Sequence, residues 1–495
     1  MTPADLRWGA AILLLLIAWL LPRRAAGTPL KLSPALPLDL VLPLAVFALV
    51  LLCSARPLLA GVVTLAAGAG WARADRDKRR VLAEPIVFTD VFQTFDIARH
   101  PQLAMPFPHK APLVLAGLAT IAFFSLVIWA EPPQWRANVW RSLCLLLMAI
   151  AATLLARRLL PHLYAGFRAT QLSADPTRDA ARHGPFATLL LYGLFARHER
   201  AARRALSVPA TTRHTHEGPV VLVQSESFFD ARRLHPDMPQ GLLPQFDRGC
   251  RDSLQWGRFA VPSWGANTVR TEFAVLTGLT EEATGFDRFN PYYRFADAPI
   301  ASLAQTLRAA GYHTVCLHPF DRSFYRRDQV MPQLGFDEFL GEEAFADAPR
   351  VNGFVTDVEV AEVAARLLRE RGPKLFLFVI TIENHGPWLG VPTQKLAALE
   401  ALPLDADERR GLNHYLGSLA NADAMFGLLR ETLEALPQPG TLGFYGDHLP
   451  SFPTLFPKLG MTDSRSDYLI WRADGGSGQR QDIAAHELGA ALLRA

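Results

Sequence analysis

Cysteine is scarce in this sequence, with four in 495 residues. That is too few for a disulfide framework. Cys53 and Cys144 lie inside apolar runs, where a thiol packs as a small hydrophobe. Only Cys250 and Cys316 are left as a pair that an oxidising compartment could join. An excess of one charge is also lacking: 50 Lys and Arg face 47 Asp and Glu, for a net charge of +3. No bulk charge therefore points to nucleic acid as a partner. Internal repeats and low-complexity tracts are absent, and no clear small-x-small cleavage site follows the first apolar run.

What the sequence does have is length and a concentrated apolar first third. Its 495 residues are too many for one ordinary domain. Five uncharged runs lie at about 8–22, 40–55, 57–72, 111–130 and 142–156. A spanning helix wants ~20 apolar residues. Only the fourth run reaches that alone, but arginines flank the others and can snorkel to the interface. About five transmembrane helices are expected, and with them a lipid bilayer as partner. Residues 81–110 mix apolar and charged residues and read as an interfacial amphipathic segment. The stretch Arg73–Arg80 reads as the most basic short loop. The positive-inside rule puts that loop, and the C-terminal domain on the same side of the bilayer, in the cytoplasm.

From Gly218 onward short apolar runs alternate with amphipathic ones. Strands are expected within 219–227, 312–319, 374–385 and 441–448, with helices over 300–311, 355–372 and 413–436. This alternation implies a mostly parallel sheet covered on both faces. Each predicted strand ends in reactive residue types: Glu226, then His318, then Glu383, Asn384 and His385, then Asp447 and His448. Ligands in open α/β sheets bind outside the carboxyl ends of the strands, so these residues converge. Glu, Asp and His together suit a hard-to-borderline divalent cation. Each piece alone has a bland reading as a capping pair, a turn or an exposed side chain. Thr268 sits near the start of a predicted helix, where backbone N–H groups can hold a phosphate. It is either a nucleophile or a plain N-cap to which Glu272 bonds back.

Five stretches carry a resemblance: QSESFF (224–229), GANTVRTEF (265–273), HPFDRSFYRRDQVMPQLGFDEF (318–339), ENHGPW (383–388) and YGDH (445–448). In content and order they resemble lipoteichoic acid synthases and the related phosphoglycerol transferases, in the sulfatase-like branch of the alkaline phosphatase superfamily. The resemblance implies an α/β alkaline-phosphatase-like catalytic domain at 217–495, behind a transmembrane domain at 1–161 and a juxtamembrane connector at 162–216. It implies Glu226, Asp447 and His448 as metal ligands, and Thr268 as a nucleophile that also touches the metal. Arg327 and His385 match positions that bind the phosphoglycerol phosphate, while Tyr325 and His318 match pocket residues. The cofactor implied is one divalent cation, Mn2+ or Mg2+, with Zn2+ in more distant relatives. The activity implied is transfer of phosphoglycerol from phosphatidylglycerol to a glycan acceptor on the periplasmic face of a bacterial inner membrane, opposite to the side given by loop charge.

Two departures stand out. Ser225 precedes the glutamate where many members have leucine, and Val269 and Arg270 follow Thr268 where Ser and Asp are common. Arg270 is expected to add a cation near the nucleophile. The alternatives on this scaffold are a phosphodiesterase, a phosphoethanolamine transferase or a non-catalytic membrane protein. A formylglycine sulfatase is disfavoured, because no Cys or Ser lies in a C/S-x-P-x-R motif.

Overall fold

The computed structural model describes residues 3–30, 34–99, 120, 122–134, 158, 162, 164–167, 172–202, 218–296, 300–392 and 395–495. They fall into two compact units. One is drawn from Met1–Val91 and Phe107–Arg204, the other from Phe92–Pro106 and Ala205–Ala495.

In the first unit the helices with both ends described are α1 (Pro3–Ala25), α2 (Leu36–Ser54), α3 (Pro57–Leu82), α4 (Asp90–Arg99, whose first two residues belong here), α5 (Pro176–His183) and α6 (Pro185–Ala202). Three of them, α1 to α3, are long and apolar enough to cross a membrane. The fifth predicted span lies outside the described residues, as does half of the fourth, of which 120 and 122–130 are helical. The basic stretch Arg73–Arg80, expected as a loop, continues α3 as helix. Its alternating Arg, Asp and Lys residues are good helix formers in sum, and Arg79 pairs with Asp75 one turn earlier at 2.7 Å. Helices α1 and α3 approach through small residues: a side chain at Gly68 would come within 2.4 Å of the Ala18 carbonyl oxygen.

One acid inside an apolar helix is fully partnered. Asp39 of α2 accepts from Arg23 Nη1 (2.7 Å), Trp19 Nε1 (2.8 Å) and the backbone N–H groups of Phe186 and Ala187 (3.0 and 3.1 Å). It thereby satisfies open donors at the start of α6. Glu131 does the same for α3, accepting from the N–H groups of Leu58 and Leu59, both at 2.8 Å.

The second unit is a nine-stranded sheet. Its strands are β1 (Val220–Ser225), β2 (Gln255–Ala260), β3 (His313–Leu317), β4 (Glu338–Leu340), β5 (Leu375–Ile380), β6 (Thr441–Gly446), β7 (Ser466–Arg472), β8 (Gln479–Arg480) and β9 (Ile483–Ala484). The order is β8-β2-β7-β6-β1-β5-β3-β4, with β9 also on β2. From β6 to β4 all neighbours run parallel, and β7 is antiparallel to both β6 and β2. The four predicted strands are β1, β3, β5 and β6. They are near-continuous apolar runs because both faces are covered. Val221 and Val223 of β1 enter one core with α7 (Pro244–Asp252), α11 (Asp357–Arg371) and α12 (Ala406–Glu434). Val220 and Leu222 enter the other, with α8 (Thr268–Thr277), α9 (Leu303–Ala309), α10 (Arg327–Gln333) and α13 (Ala485–Arg494).

Cys250 and Cys316 are both free and buried, one in each core, so the sheet separates them and the pairing left open above does not form.

Gly446 ends β6 where the chain crosses Phe228. A Cβ there would lie 1.8 Å from the Phe228 carbonyl oxygen and 2.5 Å from Ser466 Oγ. Gly446→Ala should therefore destabilise the domain by about 2–4 kcal/mol, measured by thermal or denaturant melting. It should also weaken cation binding, since the next residue is Asp447.

Candidate active site

The site stands at the carboxyl ends of four adjacent parallel strands. Glu226 follows β1, Asp447 and His448 follow β6, His318 follows β3, and Thr381 to His385 follow β5. Strand adjacency thus brings together residues about 220 positions apart in sequence.

Glu226, Asp447 and His448 are all buried, and one donor atom from each lies within 4.8 Å of the others. The backbone sets their orientation. Asp447 Oδ1 accepts from the N–H groups of Ser227 (2.8 Å) and His448 (2.9 Å). Asp447 Oδ2 is buried and accepts no hydrogen bond among the described residues. His448 Nδ1 is 3.0 Å from the Leu449 carbonyl oxygen, which fixes the proton on Nδ1. Nε2 is left facing Asp447 Oδ2 (3.2 Å) and Glu226 Oε1 (3.6 Å). Burial, then the neighbouring Asp447 carboxylate, pushes the Glu226 carboxyl up to about 8. Two buried acids, an imidazole and an oxygen without a hydrogen-bond donor fit a divalent cation.

Thr268 Oγ1 lies 3.5 Å from His448 Nε2. Thr268 is the first helical residue of α8, not its N-cap. Asn267 caps the helix in a left-handed conformation (φ 65°), and its side chain makes no capping bond. Gln93 Nε2 of α4 donates to Asn267 Oδ1 at 3.4 Å, within the same unit. The capping alternative for Glu272 does not hold either: its carboxylate points into the domain and meets Arg327. Ser227, which sequence reasoning passed over, takes up a left-handed turn (φ 55°) and donates through Oγ to Glu226 Oε1 at 2.9 Å. The sequence signal for it was its place directly after the ligand candidate Glu226.

One pocket is lined by Glu226, Thr268, His318, Tyr325, Arg327 and His385. All the predicted substrate residues therefore share one cavity with the nucleophile candidate. Burial and the Arg327 charge hold the His318 imidazole well below its ordinary value, so it is neutral. His318 Nδ1 is 3.1 Å from the Ile380 carbonyl oxygen, so Nδ1 carries the proton and Nε2 accepts from Arg327 Nη1 at 3.4 Å. Burial also lowers His385, whose Nδ1 lies 2.6 Å from the Gly386 carbonyl oxygen. Its Nε2 is then an acceptor. Tyr325 and Arg326 are both left-handed (φ 58°), a local strain that turns Arg327 inward beneath the Tyr325 ring, 5.5 Å away.

Arg270 does not add its charge to this pocket. Its Nε donates to the Phe289 carbonyl oxygen at 3.1 Å, its guanidinium lies over the Phe289 ring, and it lines a separate groove. Helical geometry accounts for this: two residues beyond Thr268, its side chain leaves the opposite side of α8.

The Sulfatase family pattern matches residues 219–494, more than half the chain, and the chain belongs to that family. The matched span takes in all five motif stretches and is consistent with the lipoteichoic acid synthase and phosphoglycerol transferase branch they resemble. The chain is 30% identical over 454 residues to the capsular polysaccharide biosynthesis protein RkpI of Rhizobium meliloti (strain 1021), covering 86% of this chain and 79% of that one. It is 28% identical over 253 residues to a putative cyclic beta-1,2-glucan modification protein of the same organism, covering 51% and 39%. Among solved structures, the integral membrane lipooligosaccharide phosphoethanolamine transferase A (EptA) of Neisseria meningitidis aligns with a TM-score of 0.55 at 13% identity, over 98% of this chain and 94% of that one. At that identity the likeness is one of fold. Membership gives the chain a sulfatase-like α/β domain, here with a candidate metal site at Glu226, Asp447 and His448 behind three N-terminal helices long and apolar enough to cross a membrane.

Proposed function

We propose that this chain transfers phosphoglycerol from phosphatidylglycerol to a hydroxyl of a periplasmic glycan, through a covalent phosphoglyceryl-threonine at Thr268. The observation that carries this reading is the placement of Thr268 Oγ1 3.5 Å from His448 Nε2, at the rim of the Glu226–Asp447–His448 cluster. The motif resemblance supplies phosphoglycerol, and the names of the two Rhizobium relatives, capsular polysaccharide biosynthesis and glucan modification, support a glycan acceptor. Glu226, Asp447, His448 and Thr268 would hold one cation, Mn2+ or Mg2+. When bound, it supplies Lewis-acid charge neutralisation at the reacting oxygens.

In the first step Thr268 Oγ bonds to phosphorus, the bond to the diacylglycerol oxygen breaks, and diacylglycerol leaves with the proton given up by the threonine. Arg327 Nη1 donates to a phosphoryl oxygen, an electrostatic contribution of the kind that dominates phosphoryl transfer. In the second step an acceptor hydroxyl bonds to phosphorus, Thr268 Oγ leaves, and the proton returns to it. His385 Nε2, an acceptor in the neutral ring, receives the hydrogen bond of the incoming hydroxyl in place of the phosphate contact that the resemblance implies. The transmembrane domain (1–161), the connector (162–216) and the segment at 81–110 keep the catalytic domain (217–495) at its lipid, on the periplasmic side.

The test is incubation of the purified full-length protein with headgroup-labelled phosphatidylglycerol vesicles and Mn2+. Diacylglycerol release with label retained on the protein is expected. Absence of release, or release with only free glycerol phosphate and no labelled protein at any time point, would overturn the transferase reading.

A further inference from the structure

We infer that Glu272 is a positioning residue that aims Arg327 at the phosphoryl group. The inference rests on the reading of Arg327 given above. Glu272 lies one turn after Thr268 in α8 and is completely buried. Its Oε1 accepts from Arg327 Nε at 3.1 Å and from Tyr292 Oη at 2.5 Å. Its Oε2 accepts from Arg327 Nη2 at 2.8 Å and from Gln224 Nε2 at 2.9 Å. Gln224 Oε1 in turn accepts from Tyr445 Oη at 2.6 Å. Gln224 lies two residues before Glu226 on β1, and Tyr445 two before Asp447 on β6. The carboxylate that grips Arg327 is thus tied to the helix bearing Thr268 and to both strands that deliver the metal-ligand candidates.

The fork geometry decides what remains. Glu272 engages Nε and Nη2 side-on, leaving Nη1 as the edge that borders the pocket beside His318. The pair is a fixed donor with its positive charge already countered. A buried ion pair of this kind is a poor stability device, because desolvation offsets most of the attraction. Its use here is geometric. The Arg327 side chain follows two consecutive left-handed residues and is long enough to turn unless held, and catalysis is sensitive to displacements of about 1 Å.

The experiment compares Glu272→Gln, Arg327→Ala and the double variant in the full-length protein with Mn2+, using turnover of bis(p-nitrophenyl) phosphate. A glutamine places an amide donor against the arginine and removes the countercharge. Turnover of Glu272→Gln should fall about 10- to 100-fold, while Mn2+ affinity stays within about twofold. In the Arg327→Ala background, Glu272→Gln should change turnover by less than about twofold. If unpaired Arg327 prevents Glu272→Gln from folding, Tyr292→Phe replaces it. It keeps the ion pair, frees Oε1, and should lower turnover only where Arg327 is present. Equal losses in both backgrounds, or loss that follows Mn2+ affinity, would reduce Glu272 to a structural role. Undiminished turnover in Glu272→Gln beside a dead Arg327→Ala would sink the positioning role alone. Full turnover in Arg327→Ala would remove both the inference and the reading it stands on.

Discussion

Thr268→Ala should abolish both diacylglycerol release and labelling of the protein, a loss of roughly 10⁴-fold or more. Thr268 is nine-tenths buried, and the nearby Ser227 Oγ is committed to Glu226 and lies at the Nδ1 side of His448, away from the Nε2 edge that Thr268 faces. The alanine keeps the helix, because Thr268 makes no capping bond that would be lost. Melting temperature should therefore stay close to that of the parent protein, which separates lost chemistry from lost fold. Thr268→Ser retains a hydroxyl at the same place and should keep measurable activity. Mass spectrometry of the trapped intermediate checks the site directly: the phosphoglyceryl adduct should lie on the peptide containing residue 268 and be absent in the alanine variant.

The second large effect is the pH dependence of cation binding. With its carboxyl pushed up to about 8, Glu226 is mostly protonated at neutral pH in the cation-free protein. A cation requires the carboxylate, so binding expels a proton. Apparent affinity for Mn2+ should climb about tenfold per pH unit below about 8 and level off above it. Stability runs the opposite way without the cation. The folded value lies above the ordinary 4.5, so folding favours the neutral acid. That contribution is present at low pH and is lost as pH rises through about 8. The gain in melting temperature on adding Mn2+ should thus be larger at about pH 8.5 than at about pH 6. Titration calorimetry in two buffers of different ionisation enthalpy measures the proton count. Glu226→Gln should bind weakly and lose the steep dependence; a slope unchanged in that variant would assign the proton elsewhere.

Much of the catalytic domain was legible because its central strands are apolar on both faces. VVLVQS and LFLFVI permit no half-exposed reading, and each is followed at once by polar residues. The sequence reading missed β2 and β7. QWGRFA and SDYLIWR mix charge with aromatics, because β2 is only partly covered and β7 is antiparallel. Arg258 of β2 meets Asp467 of β7 across that pair, which makes these charges part of the sheet rather than of a loop. Glu272 enters the sequence reading only as a residue that could bond back to Thr268, because a glutamate four residues into a helix is usually solvated or bonded to the first turn. Nothing local reveals that Arg327, 55 residues on, supplies its partner. The left-handed Tyr325 and Arg326 were equally hidden, since tertiary contacts rather than residue type impose those angles, whereas Asn267 is of a type that tolerates them.

The neighbouring placement of β1 and β6 has a bearing on biosynthesis. Glu226 leaves the ribosome some 220 residues ahead of Asp447. On the proposed reading, a chain still being made lacks its full set of ligand candidates until almost its whole length has been translated. On the same reading, a proteolytic fragment ending before residue 447 would leave lipids untouched.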